Sequence, residues 1–320
     1  MDKNIIIYTS SHNNYDMLKG EVFEIDFEGF EFINVDDAST DSEIQKGKQI
    51  CKDSGVVYLQ NKGRGVQMAT QTLIDFINKN RPDCKYIIGL QHDVKPITDG
   101  FFKKLSTYIS DGKLDDFGAI GFNVIDTGKY TGKSYELFKD GTPTLGMIGL
   151  AHLSVSDNSK RWMSPHHNPE SLKRNKEKWS KPFIIEFPAW MVVGINVNIW
   201  NKVVTPTEDY QFHLWFPDVA MQLNRSNHPL LVIPSLICLN QQEVKSKYGI
   251  SENSAHGSKR GEEYHFGEYS NFKAWSRRWG WDYENAKITF ESISERYKGT
   301  LLYEYYMHDN NDGPLRNYEL

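Results

Sequence analysis

The junction at residues 33–43, INVDDASTDSE, constrains the fold of this chain more than any other segment. An apolar strand end runs directly into Asp36 and Asp37, a small polar turn follows, and Asp41 opens a charged helical segment. In an open α/β sheet, ligands bind in the crevice outside the carboxyl ends of the strands, so carboxylates here are expected to meet a ligand. Asp and Ser also favour turns and helix N-caps, so a solvated turn is the alternative interpretation.

The N-terminal part of the chain alternates between apolar runs and segments with helical spacing. The runs predict strands at residues 5–8, 30–35, 56–59 and 85–90. This alternation predicts an α/β protein with a mostly parallel, doubly wound sheet. The fourth run leads into Gln91, His92 and Asp93, so a second strand ends in an acid. Because parallel strands end at the same edge of a sheet, both acidic sites are expected to face one crevice.

A glycine-containing loop, NKGRG at residues 61–65, lies between the third predicted strand and a helix predicted at residues 66–80. Glycines on either side of an arginine let the backbone and a cation approach an anion at a helix N-terminus. Loops of this kind are common, so the motif alone is a weak signal. Its candidate contacts are Asn61, Lys62, Gly63 and Arg64.

The second half of the chain has a looser pattern. Strands are predicted at residues 118–124, 183–187 and 230–233, the last closed by Pro234, and Gly194 interrupts the apolar stretch 189–203. A basic loop at residues 158–181 is interpreted as a solvated face or as a cover for an anionic ligand. Asp218 opens a predicted helix, where an acid is most often a cap and is otherwise a carboxylate aimed into the cleft.

The domain prediction divides the chain at residue 240. Residues 1–240 are expected to form the main α/β domain, with two halves at 1–125 and 126–240. Residues 241–320 are expected to form a helical, aromatic-rich extension that packs on it. Three tryptophans beside two arginines could stack on sugar rings or bases, but docking of the extension is the favoured interpretation. These residues are Trp275, Arg277, Arg278, Trp279 and Trp281.

Composition excludes several classes of protein. The formal charge of −5 gives no strong nucleic-acid or membrane signal. Cys51, Cys84 and Cys238 are far apart, which favours reduced thiols over a disulfide frame or a zinc site. No apolar run approaches the roughly 20 residues of a membrane span, and the N-terminal run is too short for a signal peptide. A cytoplasmic protein without a transmembrane segment is therefore predicted.

The order of these motifs resembles the GT-A fold glycosyltransferases, especially the inverting family 2-like enzymes, over roughly residues 4–239. The resemblance implies that residues 1–240 are a catalytic domain, with a nucleotide-sugar-binding half at 1–125 and an acceptor-binding half at 126–240. It also implies that the acidic turn holds the base and ribose of a nucleotide sugar and that the loop after the first strand lines the nucleoside pocket. The predicted nucleotide-sugar-binding residues are Thr9, Ser10, Asp36, Asp37, Ser39, Asp41, Asn61, Lys62, Gly63, Arg64, Gln91 and His92.

The same resemblance implies a metal site and a catalytic base. The metal-binding DXD motif of the family ends the fourth strand, and here Asp93 is the only carboxylate left in that motif. His92, His256 or His265 is expected to complete the set of metal ligands. The metal is expected to be Mn²⁺ or Mg²⁺, and a histidine ligand would favour Mn²⁺. Asp218 is predicted to take the proton of the acceptor hydroxyl and so to give inversion.

The predicted function is a metal-dependent inverting glycosyltransferase that uses a nucleotide-diphosphate sugar, with UDP favoured. A glycan is the favoured acceptor; modified nucleic acid or a protein side chain are the alternatives. A non-catalytic sugar- or nucleic-acid-binding module is the alternative function. A sugar nucleotidyltransferase ranks lower because residues 9–14 contain no glycine for a phosphate loop.

Overall fold

The computed structural model describes residues 3–127, 149–150, 176–210, 215–248, 274, 277–279, 298–301, 304 and 316–320. The strands are β1 (Ile5–Ser11), β2 (Glu31–Asp36), β3 (Val57–Gln60), β4 (Tyr86–Leu90), β5 (Val94–Pro96), β6 (Ala119–Asp126), β7 (Gly149–Leu150), β8 (Phe183–Ile185), β9 (Phe187–Pro188), β10 (Val192–Asn196) and β11 (Leu230–Asn240). The helices are α1 (Tyr15–Met17), α2 (Asp41–Asp53), α3 (Val66–Asn80), α4 (Phe101–Ser110), α5 (Lys176–Ser180), α6 (Val197–Val203), α7 (Trp215–Arg225) and α8 (Gln242–Lys247). A π-helical turn, Leu18–Val22, continues α1.

Nine of these strands form one sheet in the order β3-β2-β1-β4-β10-β6-β11-β5, with β8 paired to β11. The predicted α/β class is confirmed. Strands β1 to β4 are parallel to one another, as expected. The sheet as a whole is mixed, because β10 lies antiparallel between β4 and β6. Strand β11 is parallel to β6, whereas β5 and β8 are antiparallel to β11.

The core follows from the apolar runs. Ile5, Ile6 and Ile7 of β1 are buried, as expected for a central strand covered on both faces. Helix α3 buries Leu73 and Ile77 on one face, in keeping with its amphipathic spacing. None of the helices among the described residues combines the length and apolar character required to cross a membrane.

Strand β11 is longer than the sequence predicts. It continues through Pro234 to Asn240, where the prediction closed it at Ile233. Its register with β6 shifts between Ile233 and Ile237, and this irregularity accommodates a proline that cannot donate a hydrogen bond to the ladder. The extension brings Asn240 to the edge of the sheet at which β1, β2 and β4 also end.

Part of the C-terminal region packs on the sheet domain. Ala274 and Trp279 are buried within the main hydrophobic core, and Asn317 forms a bridge to Phe183 of β8. The division at residue 240 stays a prediction. Several predicted features lie outside the described residues, namely Trp275, Trp281, His256, His265 and the basic loop up to residue 175.

Candidate functional site

The candidate site lies at the edge where six strands that run in the same direction end. These strands are β1, β2, β3, β4, β6 and β11. Asp36 pairs in register with Ser11, and His92 in the turn after β4 contacts the same serine. The structure therefore brings the acidic turn after β2 and the acid after β4 to one edge, as the parallel arrangement predicts.

Asp36 organises the turn and is not open to a ligand. Its carboxylate is completely buried, the Tyr15 hydroxyl donates to Oδ2, and the Ser39 N–H donates to Oδ1 at 3.2 Å. Burial, followed by the adjacent Asp36 carboxylate, raises the pKa of Tyr15, so the phenol stays protonated and keeps donating. A direct contact between Asp36 and a nucleotide, as predicted from the sequence, would require both donors to move.

Asp37 connects the acidic turn to the glycine-containing loop. Its Oδ1 accepts from the Asn61 side chain at 2.9 Å and from the Gly65 N–H at 2.8 Å. Gly65 has φ +89°, a conformation that favours glycine. Burial raises the pKa of Asp37, although these hydrogen bonds oppose the shift. Oδ2 accepts no hydrogen bond from the described residues, so one oxygen of Asp37 remains to receive a ligand.

Asn61 is the organising residue of the loop at 61–65. Its Oδ1 accepts hydrogen bonds from the Gly63 N–H at 3.1 Å and from the Thr72 hydroxyl at 3.1 Å, while its Nδ2 donates to Asp37 Oδ1. The two cations of the loop are exposed, and Lys62 forms an ion pair with Asp75 at 3.0 Å. Arg64 is therefore the better candidate to meet an anion at this edge.

The loop after β1 is tied to the acidic turn from the other side. The Asn13 N–H donates to the Ser39 hydroxyl at 3.0 Å, and the Thr40 N–H donates to Asn13 Oδ1 at 2.8 Å. Thr9 is buried and donates to the Leu90 carbonyl, which gives it a structural contact between β1 and β4. Of the other predicted contacts, Ser10 is half-buried and Asp41 is exposed in the first turn of α2.

His92 is held as a neutral side chain. Ser11 donates its only hydroxyl proton to Asn34 Oδ1 at 2.5 Å and lies 3.0 Å from His92 Nε2. Nε2 must therefore be the donor to Ser11, which leaves the lone pair of His92 on Nδ1. Burial lowers the pKa of His92 to about 4, so the ring is uncharged near neutral pH.

Asp93 and Asn240 are two buried polar residues at the end of the sheet. Each is 4% exposed, and the Gln241 N–H donates to the Asp93 carbonyl at 2.7 Å. The amide nitrogen of Asn240 donates to Met191 Sδ at 3.4 Å, while its Oδ1 accepts no hydrogen bond within the described part of the chain. The described residues contain no group of three or more His, Cys, Asp or Glu side chains that could hold a metal ion.

Asp218 is enclosed by donors rather than presented to the crevice. Its side chain is completely buried on α7, and Trp279 Nε1 donates to its Oδ1 at 2.7 Å. Oδ2 accepts from Gln67 and Gln222, each at 2.9 Å, and pairs with Arg278 at 3.2 Å. Burial raises the pKa of Asp218, and Arg278 opposes the shift. A general base must reach the acceptor hydroxyl, and this geometry gives no support to that role for Asp218.

Several residues at the site were missed from the sequence. Tyr15 fits beside Asp36 only because Gly47 of α2 has no side chain, and a glycine inside a predicted helix was the available signal. Glu208 is exposed, and a Cβ at Gly63 would lie 2.6 Å from its Oε1. The pair of acids at 208 and 209 could have been noticed, whereas nothing local marks Ser11 or Asn34.

Comparisons with known proteins found similarity to solved structures and none to family models or curated proteins. No protein-family model matches the sequence, and no curated protein matches it. A structure of GalNAc-T7 with UDP, GalNAc and Mn²⁺ is similar at 13% identity and a TM-score of 0.49, over 74% of this chain and 43% of that one. A structure of S. aureus TarS 1-349 is similar at 12% identity and a TM-score of 0.43, over 91% and 77% of the two chains.

Proposed function

We propose that this protein is a glycosyltransferase that takes its sugar from a nucleotide-diphosphate sugar, with UDP as the favoured nucleotide. The observation that carries the proposal is the junction of three motifs at one edge of the sheet. Asn61 joins the loop at 61–65 to Asp37, and Ser11 joins β1 to His92. These segments are far apart in the sequence, and a solvated turn would not require them to be joined.

The nucleoside side of the proposed site is formed by the acidic turn and the loop after β1. Asp37 is the better-placed acid, because one of its oxygens accepts nothing from the described residues, whereas both oxygens of Asp36 are occupied. Ser10, near the end of β1, is half-buried and pairs in register with Val35, two residues before Asp37. We assign the polar contacts of a pyrimidine and its ribose to this pair rather than to Asp36.

The diphosphate side is formed by exposed Arg64 and by the edge around Asp93. A buried carboxylate and the unsatisfied amide oxygen of Asn240 are hard oxygen donors, and this donor set fits Mg²⁺ or Mn²⁺. A divalent cation bound there would neutralise charge that builds on a leaving diphosphate. Arg64, as a planar cation on a glycine-flanked loop, would contribute to the same neutralisation.

The proton acceptor is the part of the mechanism that the structure leads us to reassign. Inversion requires one carboxylate within hydrogen-bond reach of the acceptor hydroxyl. We propose Glu208 for this role in place of Asp218, because Glu208 is exposed and its carboxylate lies against the loop at Gly63. A Glu208→Gln variant should lower kcat by at least ~100-fold with little change in KM for the donor.

The test of the function is a donor screen with detection of the free nucleotide diphosphate. The protein is incubated with UDP-, GDP- and TDP-sugars in the presence of Mn²⁺ or Mg²⁺, and mass spectrometry follows nucleotide release with and without oligosaccharide acceptors. Asp37→Asn should weaken donor binding, whereas Asp83→Asn is the matched control, because exposed Asp83 lies before the opposite end of β4. Binding without release would support the non-catalytic module, and absence of both would refute the proposal.

A further inference from the structure

A buried glutamine near the start of α3 joins three parts of the chain. Gln67 is completely buried, and its Nε2 donates to the Trp215 carbonyl at 2.8 Å and to Asp218 Oδ2 at 2.9 Å. Its Oε1 accepts from the Thr207 N–H at 3.0 Å. An N–H donates, whereas a carbonyl and a carboxylate accept, so these partners fix the orientation of the amide. Gln67 therefore links α3 to α7 and to the segment at 205–209, which belongs to neither helix.

The segment at 205–209 is held in place by side chains. The Thr205 N–H donates to Gln222 Oε1 at 2.7 Å, and the Thr205 carbonyl accepts from Arg278 at 3.1 Å. Within the described part of the chain, no backbone group of this segment forms a hydrogen bond to another backbone group. The course of the segment therefore depends on the amide and guanidinium groups that reach it from the helices.

The contact made by Gln67 lies next to the proposed proton acceptor. Thr207, which donates to Gln67, directly precedes Glu208. The Glu208 carboxylate lies against the loop at 61–65, because a Cβ at Gly63 would be 2.6 Å from its Oε1. Helix α3 begins directly after this loop, so Gln67 lies close to the junction of the loop and the helix. The element that follows the loop thus also holds the segment that contains the carboxylate.

We propose that Gln67 is a positioning residue, which holds the segment at 205–209 and thereby places the Glu208 carboxylate. Packing of α3 on α7 alone would be served by an apolar side chain, without the cost of burying an amide. The amide oxygen is instead used for the Thr207 N–H, outside both helices. The catalytic meaning of this contact rests on the proposed function, in which Glu208 takes the proton of the acceptor hydroxyl.

The kinetic test compares two glutamines on α3. Gln67→Met keeps the length of the side chain and removes its three hydrogen bonds. It should lower kcat at least ~10-fold and leave KM for the donor unchanged, because a misplaced base affects the chemical step. Gln71, one turn further along, accepts from Trp200 Nε1 at 2.7 Å and donates to Asp75 at 2.8 Å. Gln71→Met makes the same chemical change away from Glu208 and should keep the wild-type kcat. Equal losses of kcat in both variants would overturn the proposal.

A double variant tests whether Gln67 acts through Glu208. Gln67→Met combined with Glu208→Gln should be no slower than Glu208→Gln alone, because a base that has been removed cannot be misplaced. Multiplied losses of kcat in the double variant would overturn the proposal.

Gln67→Glu is the conservative variant. One of its oxygens can accept from the Thr207 N–H, and the other lies against Asp218, where two adjacent carboxyl groups can share one proton. This variant should keep kcat close to that of the wild type. A loss of at least ~10-fold would overturn the proposal, whether or not the methionine variant folds.

Amide hydrogen exchange followed by NMR tests the placement of the segment without turnover. The Thr207 amide should exchange about fivefold faster in Gln67→Met than in the wild type, the factor expected for one lost hydrogen bond. It should exchange at the wild-type rate in Gln71→Met. Unchanged exchange in Gln67→Met would overturn the positioning role and leave the proposed function standing. Faster exchange, with no nucleotide release from any donor by the wild type, would support the placement of the segment and refute the function.

Discussion

Asp218 offers the sharpest test of the structure, because the sequence and the structure assign it different roles. As a catalytic base, it could be replaced by asparagine with loss of turnover and little loss of stability. As a buried anchor, it holds Trp279 and Arg278 of the C-terminal segment against α7 and α3. We expect the second outcome.

The magnitude follows from the donors that the substitution would leave behind. Removing one partner of a buried ion pair costs about 3–5 kcal/mol. Arg278 is 28% exposed and also donates to the Thr205 carbonyl, so it can recover part of its solvation from water. Gln67, Gln222 and Trp279 would each lose the hydrogen bond that they donate to Asp218. We therefore expect Asp218→Ala to cost about 3–4 kcal/mol, in the lower half of that range.

Thermal unfolding followed by circular dichroism measures this cost. At about 2–4 °C per kcal/mol for a protein of this size class, Asp218→Ala should lower Tm by roughly 6–16 °C. Trp279→Phe removes the Nε1–H donor together with the five-membered ring of the indole, so its cost includes lost packing as well as the hydrogen bond. The double variant should be non-additive, because both substitutions remove the same hydrogen bond. Asp83→Asn, at an exposed turn, is the control for a charge change alone.

The result that would refute the anchor is specific. If Asp218→Asn kept the wild-type Tm within about 2 °C and lost at least 100-fold in kcat, Asp218 would be the base. Glu208→Gln should then retain activity. A lowered Tm in Asp218→Asn, together with loss of activity in Glu208→Gln, would support the reassignment of the base to Glu208.

Three further predictions concern the edge of the sheet. Gly47→Ala should lower the free energy of unfolding in urea by about 1–3 kcal/mol, because the new Cβ would lie 2.3 Å from the Tyr15 ring. This loss should outweigh the higher helix propensity of alanine. Unchanged stability would show that the Tyr15 ring can move. The pKa of His92 is lowered to about 4, so the stability that the neutral ring contributes is present above pH 6.5 and is lost as the pH falls toward 4, by up to about 3 kcal/mol. In metal-free protein, His92→Gln should reduce the fall in unfolding free energy between pH 6.5 and 4. An unchanged fall would contradict the burial of His92. Arg64→Ala should raise KM or Kd for the nucleotide sugar about tenfold and leave Tm unchanged, since Arg64 is exposed. An equal effect of Lys62→Ala would contradict a specific contact of Arg64 and would indicate general charge attraction.

The sequence by itself determined the α/β class and the edge of the sheet at which the candidate site lies. Apolar runs that alternate with amphipathic segments allow only a layered α/β arrangement, and a central strand such as β1 must be apolar throughout because both of its faces are covered. Parallel strands end at one edge, so acids that follow β2 and β4 had to lie near each other. These conclusions depend on local pattern and on rules of topology.

The tertiary structure decided which of these acids are enclosed by hydrogen-bond donors of the protein. Asp36, Asp37, Asp93 and Asp218 look alike in the sequence, but the first and last are enclosed by donors from distant segments. The antiparallel entry of β10 and the continuation of β11 beyond Pro234 also depend on pairing partners far along the chain. A carboxylate is available to a ligand only when the rest of the fold leaves its oxygens unsatisfied, and that condition is set by contacts in three dimensions.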